Sequence, residues 1–257
     1  DVIPIRSVRH ELLEKNYGYI RVSQFQEKTD SEFDRHLKAL EEESKGTLKG
    51  IILDLRNNPG GLLDQAVKVA DRFLESGLIV SMEGRKEDQK MKFHAHPPGT
   101  LPSYPLVVLI NSGSASGAEI VAGAIQDNGR GILLGTQTFG KGSVQTIFPL
   151  KDGSGLRLTT ARYYTPSGRS IQAKGIVPDI VVKPLQPEEE KIVPIPKQPL
   201  EKDLERHLID IEKEPPKEKE KPKKEEVKEK KPTDHQLERA LELLKSWEIF
   251  KKLAKEK

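Results

Sequence analysis

The chain has 257 residues, of which 35% are hydrophobic, and this is enough for one well-buried core with some non-globular sequence attached. Its 43 basic and 40 acidic side chains nearly cancel to a net charge of +3, which argues against a nucleic-acid binder, because such proteins concentrate Lys and Arg without matching Glu. The absence of cysteine excludes disulfides, thiol catalysis and Cys-ligated zinc. The sequence begins Asp1-Val-Ile-Pro-Ile, without an initiator Met or a signal sequence, and we interpret it as a fragment of a longer protein.

The predicted elements alternate between strands and helices. Apolar or alternating runs predict strands at 19–25, 50–55, 105–110, 131–135, 143–150, 156–164 and 176–182. Helical spacing predicts one helix that begins at the capping box Thr29-Asp-Ser-Glu32, and two more at 62–74 and 116–127. Strands separated by helices of this length indicate an α/β fold.

The composition changes after Lys183. From 184 to 232 proline recurs among dense Lys and Glu, so this segment is predicted to be a solvated linker, with a short helix near 200–211. A second capping box, Thr233-Asp-His-Gln236, precedes a helical apolar stripe made of Leu237, Leu241, Leu244, Trp247 and Phe250. We therefore predict a core domain at 1–183, a linker at 184–232 and an amphipathic helix at 233–257. That helix would dock on the core, on a second copy of the chain or on a partner protein.

A candidate nucleophile lies in Asn111-Ser-Gly-Ser-Ala-Ser-Gly-Ala-Glu-Ile120, between a buried strand and the start of a helix. A helix N-terminus presents unpaired N–H groups and a partial positive charge, which stabilise negative charge developing on an attacked carbonyl oxygen. The small neighbouring residues leave room for a polypeptide substrate. The alternative is that these serines are only helix caps and loop residues.

A nucleophilic serine needs a base. None of the six histidines lies in the Ser- and Gly-rich segments, and the pair His94 and His96 lacks the further ligands of a metal site. Lys141 lies between two glycines in Thr138-Phe-Gly-Lys-Gly-Ser-Val-Gln145, where burial would favour a neutral amine that can accept a proton. In an extended segment Gln145 shares a face with Lys141 and could hold it. The alternative is a surface lysine in a hairpin or in a phosphate-type glycine loop.

Four motifs in this order resemble the C-terminal processing peptidases, a Ser/Lys protease family (peptidase family S41), over roughly residues 4–183. They are Arg56-Asn-Asn-Pro-Gly-Gly61, Ser114-Ala-Ser-Gly-Ala-Glu-Ile120, Gln126-Asp127 and Thr138-Phe-Gly-Lys-Gly-Ser-Val-Gln145. The resemblance implies that Ser116 is the nucleophile, that Lys141 is the general base and that Gln145 supports it. It needs neither a metal nor a cofactor.

The same resemblance implies an oxyanion hole made of backbone N–H groups from Gly60 or Gly61 and from Gly117, which stands where the family more usually has Ala. Gly60 and Gly61 are also the residues that a turn with positive φ requires, and both roles are compatible. Asp127 is predicted to be a structural cap at the end of its helix. An indirect role in positioning Lys141 is the alternative.

The implied fold is the Clp protease/crotonase-like β/α core. The implied activity is endoproteolytic cleavage near the C-termini of protein substrates, with the protein exported to the periplasm or cell envelope. Family members usually carry a PDZ domain before the core; none is found here, and we expect it in the missing upstream part. Two other functions stay open: a catalytically silent scaffold whose linker and terminal helix bind partners or a second copy, and a crotonase-like acyl-CoA enzyme, which has no use for paired Lys141 and Gln145.

Overall fold

The computed structural model of the chain describes residues 6–14, 16–85, 90–184 and 234–255. The predicted linker and its short helix lie outside these residues. The described elements follow in the order β1 (Val8–Leu13), β2 (Tyr17–Val22), α1 (Thr29–Glu43), β3 (Gly50–Asp54), α2 (Leu63–Asp71), β4 (Leu78–Gly84), β5 (Lys90–His94), β6 (Leu106–Ile110), α3 (Gly117–Asp127), β7 (Ile132–Gly135), β8 (Ser143–Pro149), β9 (Gly155–Tyr164), β10 (Ile180–Val181) and α4 (His235–Lys255). Strands alternate with helices through most of this order, and the fold is mixed α/β.

A six-stranded sheet forms the centre of the molecule, in the order β1-β2-β3-β6-β7-β10. Only the β1–β2 pair is antiparallel; the other neighbours run parallel. Every residue of β3 and β6 is buried, as expected for central strands that are covered on both faces. Because side chains alternate along a strand, Ile51 and Leu53 pack in the cluster with α1, α2 and α3, whereas Ile52 packs in the cluster with α4.

Helix α4 lies on the sheet face opposite α1, α2 and α3. Ala240 and Leu244 are buried there against the large aromatic and aliphatic side chains of β2, β3 and β6. The sequence left three docking surfaces open for this helix, and the structure places its first half on the core of the same chain. Further along the apolar stripe, Trp247 and Phe250 are 56% and 66% exposed.

A second, four-stranded sheet has the order β5-β4-β9-β8 and is antiparallel throughout. Strands β8 and β9, predicted at 143–150 and 156–164, pair as a hairpin, closed by a hydrogen bond from the Leu150 N–H to the Ser154 carbonyl at 2.8 Å. β8 starts at Ser143, immediately after the predicted base, so this sheet joins the site through its edge strand. The hairpin exposes several apolar side chains, among them Ile147 and Leu158.

Some sequence predictions about local structure were wrong. Thr29 is not an N-cap: α1 begins at Thr29 itself, and the Glu32 carboxylate accepts hydrogen bonds from Ser7 instead of closing a capping box. The strand predicted at 176–182 is reduced to β10, and β1, β4 and β5 were not predicted. Pairing with neighbouring strands holds these elements in place, and this tertiary contribution is absent from local sequence patterns.

The helices of the described ranges include none that is long and apolar enough to cross a lipid bilayer.

Candidate active site

The site is built where two neighbouring parallel strands end. Strands β3 and β6 lie side by side, so the loops after their carboxyl ends, 55–62 and 111–116, meet. The Ala115 N–H donates to the Asn58 carbonyl at 2.9 Å. The Asn111 side chain accepts from the Asn57 N–H and donates to the Asn57 side-chain oxygen, both at 2.9 Å. The glycine loop and the serine loop therefore form one hydrogen-bonded unit.

Ser116 is the residue that caps the N-terminus of α3. Its backbone angles are φ 52° and ψ −112°, a sparsely populated conformation for a residue with a side chain. A strained turn between a strand and a helix is also how α/β-hydrolases expose a nucleophilic serine. Ser116 is half-buried, whereas its neighbours Ala115 and Gly117 are buried. The loop geometry thus holds this one side chain partly open to solvent at the positive end of the helix.

The Glu119 carboxylate ties the serine motif to the lysine motif. One carboxylate oxygen accepts the N–H groups of Ser116 and Lys141, each at 2.9 Å. The other accepts the Thr138 hydroxyl at 2.5 Å and the Gly140 N–H at 2.8 Å. Ser116 and Lys141 are distant in sequence, yet their backbone nitrogens share one acceptor atom, and this fixes the two chain segments relative to each other.

Glu119 is fully buried, and among the described residues no basic side chain forms an ion pair with it. Burial raises the pKa of Glu119 to about 7, although the hydrogen bonds from Thr138, Ser116, Gly140 and Lys141 act in the opposite direction. The carboxyl group therefore titrates near neutral pH in the folded protein. Sequence reasoning gave Glu119 no role, but Ser116-Gly-Ala-Glu119 is a capping-box pattern and was a usable signal.

The three glycines of the predicted oxyanion hole lie around Ser116. A Cβ at Gly60 would lie 2.7 Å from the Ser116 Cβ and 2.8 Å from the Gly117 N, and a Cβ at Gly61 would lie 2.0 Å from the Phe25 carbonyl oxygen. Both residues have positive φ, 96° and 143°. The close approach and the backbone conformation each require glycine at these positions.

The N–H groups of these glycines differ in availability. The Gly60 N–H donates to the side-chain oxygen of Asn58 at 2.8 Å, so it is already engaged within its own loop. Within the described ranges, the N–H groups of Gly61 and Gly117 have no hydrogen-bond acceptor. Of the alternatives Gly60 and Gly61, the structure leaves Gly61 with the donor that an oxyanion could use.

The structure does not support the predicted contact between Lys141 and Gln145. Lys141 precedes β8 instead of lying within it, and the pairing register shifts between Val144 and Gln145, where β9 carries one extra residue, Thr160. Gln145 is exposed, and in the described part of the chain neither its amide nor the Lys141 ammonium has a hydrogen-bond partner. The support of Lys141 by Gln145 therefore stays a prediction.

Asp127 ends α3, as predicted for a structural residue. Its carboxylate accepts the N–H and the hydroxyl of Ser167, at 2.9 and 2.7 Å, and forms an ion pair with Arg169. Burial alone would raise the pKa of Asp127, but the hydrogen bonds from Thr165 and Ser167 and the charge of Arg169 lower it overall. Asp127 thus anchors the turn that follows β9, and it makes no hydrogen bond with Lys141.

A second group that sequence reasoning missed lies at the start of the glycine loop. Asp54, at the end of β3, is fully buried, and its carboxylate accepts the Arg56 N–H, Nε and Nη2 at 2.9, 3.0 and 2.7 Å. The Tyr19 hydroxyl donates to the same carboxylate at 2.7 Å. An aspartate inside an otherwise apolar buried strand was the available signal, because a buried charge needs a partner nearby.

Comparison with known proteins identifies the family of the chain. The model of the family "Peptidase family S41" matches residues 16–182. The carboxy-terminal-processing protease of Bartonella bacilliformis is 53% identical over 192 residues, which are 74% of this chain and 44% of that protein. The carboxyl-terminal-processing protease of Synechocystis is 45% identical over 169 residues, 66% of this chain and 38% of that protein.

Among solved structures, the photosystem II D1 C-terminal processing protease superposes with a TM-score of 0.62 at 34% identity, over 70% of this chain and 49% of that one. The chain thus spans less than half the length of these relatives. The family match covers well over half of the described core and includes every loop of the site. This chain belongs to peptidase family S41.

Proposed function

We propose that this chain is the catalytic domain of a serine endopeptidase in which Ser116 is the nucleophile and Lys141 is the general base. The observation that carries the proposal is the shared acceptor: one oxygen of Glu119 binds the backbone N–H groups of both residues at 2.9 Å. A requirement that the Ser116 and Lys141 side chains act together would explain why a buried carboxylate holds both backbone segments. Membership in a peptidase family supports the same assignment.

In the proposed reaction the Ser116 Oγ attacks the scissile peptide carbonyl while its proton passes to the Lys141 Nζ. The carbonyl oxygen becomes an oxyanion and accepts hydrogen bonds from the free N–H groups of Gly61 and Gly117. Lys141 then gives the proton to the leaving amine, and an ester is left on Ser116. Water attacks this acyl-enzyme with Lys141 again as the base, which releases the acid and restores the serine.

Gln145 is proposed to orient Lys141, because of its position in the lysine motif. Because no hydrogen bond joins the two side chains here, this role requires that substrate or a change at the β-bulge bring them together. If Gln145 orients the base, Gln145→Ala should lower kcat and leave KM nearly unchanged. An unchanged kcat would remove Gln145 from the site.

The proposed substrates are proteins with accessible C-termini, cleaved near that end, and the proposed location is the periplasm or cell envelope. The names of the relatives support cleavage near the C-terminus. The location is carried over only from the family resemblance of the sequence. The exposed end of α4, with Trp247 and Phe250, is the surface for self-association or for an adaptor protein. The variant Trp247→Glu should lower the solution mass of an assembly built through this surface, and an unchanged mass would contradict self-association.

A catalytically silent scaffold is the second candidate, and one observation favours it: the Lys141 ammonium has no hydrogen-bond partner within the described residues. A nucleophile and its base should form a hydrogen bond at about 2.6–3.2 Å when aligned, although such contacts are often longer without substrate. The two candidates therefore differ in whether the side chains meet once a substrate is bound.

The deciding experiment is cleavage of an unstructured protein with a nonpolar C-terminus by the unaltered chain and by Ser116→Ala and Lys141→Ala. Lys151→Ala is the matched control, because Lys151 is an exposed lysine in the turn between β8 and β9. Loss of cleavage in both site variants, with normal cleavage by the control, supports the Ser/Lys mechanism. Cleavage that survives in Ser116→Ala refutes the nucleophile, and cleavage that survives in Lys141→Ala refutes the base.

A further inference from the structure

The first turn of α4 is bonded to the loop that carries the glycines of the site. The guanidinium of Arg56, the first residue of that loop, donates to Asp234 through Nη1 at 2.8 Å and through Nη2 at 2.7 Å. Its Nη1 also donates to the Gln236 side-chain oxygen at 3.0 Å. A bidentate Arg–carboxylate pair fixes the relative orientation of the two groups as well as the distance between them. The start of α4 is therefore held in one position relative to Arg56.

Arg56 in turn is locked on its other side. It is only 8% exposed, and the buried Asp54 accepts its Nε and its second Nη2 hydrogen bond. The chain then continues through Asn58, whose side chain donates to the Val22 carbonyl and accepts from the Gly60 N–H. Pro59, Gly60 and Gly61 follow along the chain. Hydrogen bonds from α4 thus hold Arg56 at the start of the 56–61 loop, a second set holds Asn58 and Gly60 within it, and the short backbone between them leads to the free N–H of Gly61.

We propose that Asp234 is a positioning residue of the site: by holding Arg56, the docked first turn of α4 sets the geometry of the 56–61 loop and hence of the Gly61 donor. The proposal rests on the proposed function, since it assigns a role to the oxyanion hole of that reaction. It requires no contact between α4 and substrate. It gives the residue that starts α4 a positioning role through Arg56, in addition to the packing of α4 on the sheet.

Charge favours this arrangement. Two carboxylates, Asp54 and Asp234, face one guanidinium, with Arg21 3.6 Å from Asp54 as a second cation. Removing Asp234 leaves Arg56 with Asp54 on one side and solvent or the amide of Gln236 on the other. The guanidinium would then keep its hydrogen bonds to Asp54 and Gln236 but lose its two bonds to the carboxylate that ties it to the start of α4. The loop would have one restraint fewer, and an oxyanion donor that shifts by about 1 Å can lower a rate by about a hundredfold.

The test must separate this role from helix capping, because Asp234 also accepts the Leu237 N–H at 3.1 Å and so caps α4. Serine is an equally good N-cap but is too short to reach Arg56. Asp234→Ser therefore keeps the helix cap and removes only the contact with Arg56. Asp234→Asn keeps the cap and part of the contact and should have an intermediate effect. Lys245→Ala is the matched control, since it deletes another ion pair between α4 and the core, with Glu14, at the far side of the sheet.

Two measurements decide the outcome. For Asp234→Ser we expect kcat to fall about ten- to a hundredfold with KM changed less than about twofold, and amide hydrogen exchange in 56–62 to become faster. Lys245→Ala should leave both unchanged. Unchanged exchange and unchanged kcat in Asp234→Ser would overturn the proposal, as would an equal effect of Lys245→Ala. If the unaltered chain cleaves nothing, the proposed function fails, whereas the exchange measurement still decides whether Asp234 orders the loop.

Discussion

Replacement of Glu119 by glutamine gives a prediction with a worked magnitude. The amide places a nitrogen where one carboxylate oxygen was. If that nitrogen faced Ser116 and Lys141, two buried N–H groups would lose their acceptor. If it faces the other way, it donates to the Thr138 hydroxyl oxygen, and both the Gly140 N–H and the Thr138 hydroxyl proton lose this acceptor. A hydroxyl can rotate towards another acceptor whereas a backbone N–H cannot, so the second orientation is favoured, at a cost of about 1–3 kcal/mol for the buried Gly140 donor.

This cost is fully visible only at low pH. The folded state raises the pKa of Glu119 from 4.5 to about 7, so it holds the proton more tightly than the unfolded state does. The wild-type protein consequently loses stability as pH rises from 4.5 through 7, by about 3 kcal/mol at 1.36 kcal/mol for each pH unit. Glu119→Gln has no such loss. It should be less stable than wild type by about 1–3 kcal/mol near pH 4.5, and at pH 8 it should be equal in stability to wild type or more stable by up to about 2 kcal/mol.

Urea unfolding followed by circular dichroism, at a series of pH values from 4.5 to 8.5, measures both proteins. Every other titrating group is common to the two, so the difference in unfolding free energy reports Glu119 alone. A difference that stays constant across this range would refute the reasoning, because it would mean that folding leaves the pKa of Glu119 unchanged.

Three further outcomes are expected. Gly60→Ala should lower kcat/KM about a hundredfold in a peptide-cleavage assay, because the new methyl group would lie 2.7 Å from the Ser116 Cβ. The circular dichroism spectrum should stay native, and normal activity would contradict the tight packing. Leu244→Ala should reduce the unfolding free energy measured by urea titration by about 2–4 kcal/mol, because Leu244 is buried. Trp247→Ala, at an exposed position, should change it by less than about 0.5 kcal/mol. Equal effects would contradict the described docking of α4. Asp127→Asn should cost about 1 kcal/mol at pH 7. Since folding lowers the pKa of Asp127, its carboxylate stabilises the folded state above the ordinary pKa of 3.8, and this stabilisation is lost as pH falls below that value. The unfolding free energies of the two proteins should therefore converge near pH 2–3. A difference that persists there would contradict the prediction.

The parts of the fold that follow local rules were predictable. The apolar runs of β3 and β6 and the helical spacing of α3 lie within two residues of their predicted bounds, because burial on both faces and a helix cap both leave local marks in the sequence. The placement of Ser116 at the start of α3 belongs to the same class. These features depend on neighbours in the chain.

The features that failed depend on distant neighbours. The first residue of β8 is set by how this strand pairs with β9, so the sequence could not show that Lys141 lies before the strand while Gln145 lies within it. Glu32 looked like a helix cap but binds Ser7, because β1 passes beside α1. The role of Glu119 as a shared acceptor likewise exists only once the lysine motif has folded back onto α3.

The pair Arg56–Asp234 joins positions that are 178 residues apart. During synthesis the loop at 56–61 emerges early, and it can meet its C-terminal partner only after translation has passed residue 234. Until then the Arg56 guanidinium can donate to the buried Asp54, but its second carboxylate partner, Asp234, is not yet present. A growing chain on the ribosome thus carries Ser116 and Lys141 before the residue that holds Arg56 has been added, so the hydrogen bonds around the 56–61 loop are completed late in synthesis.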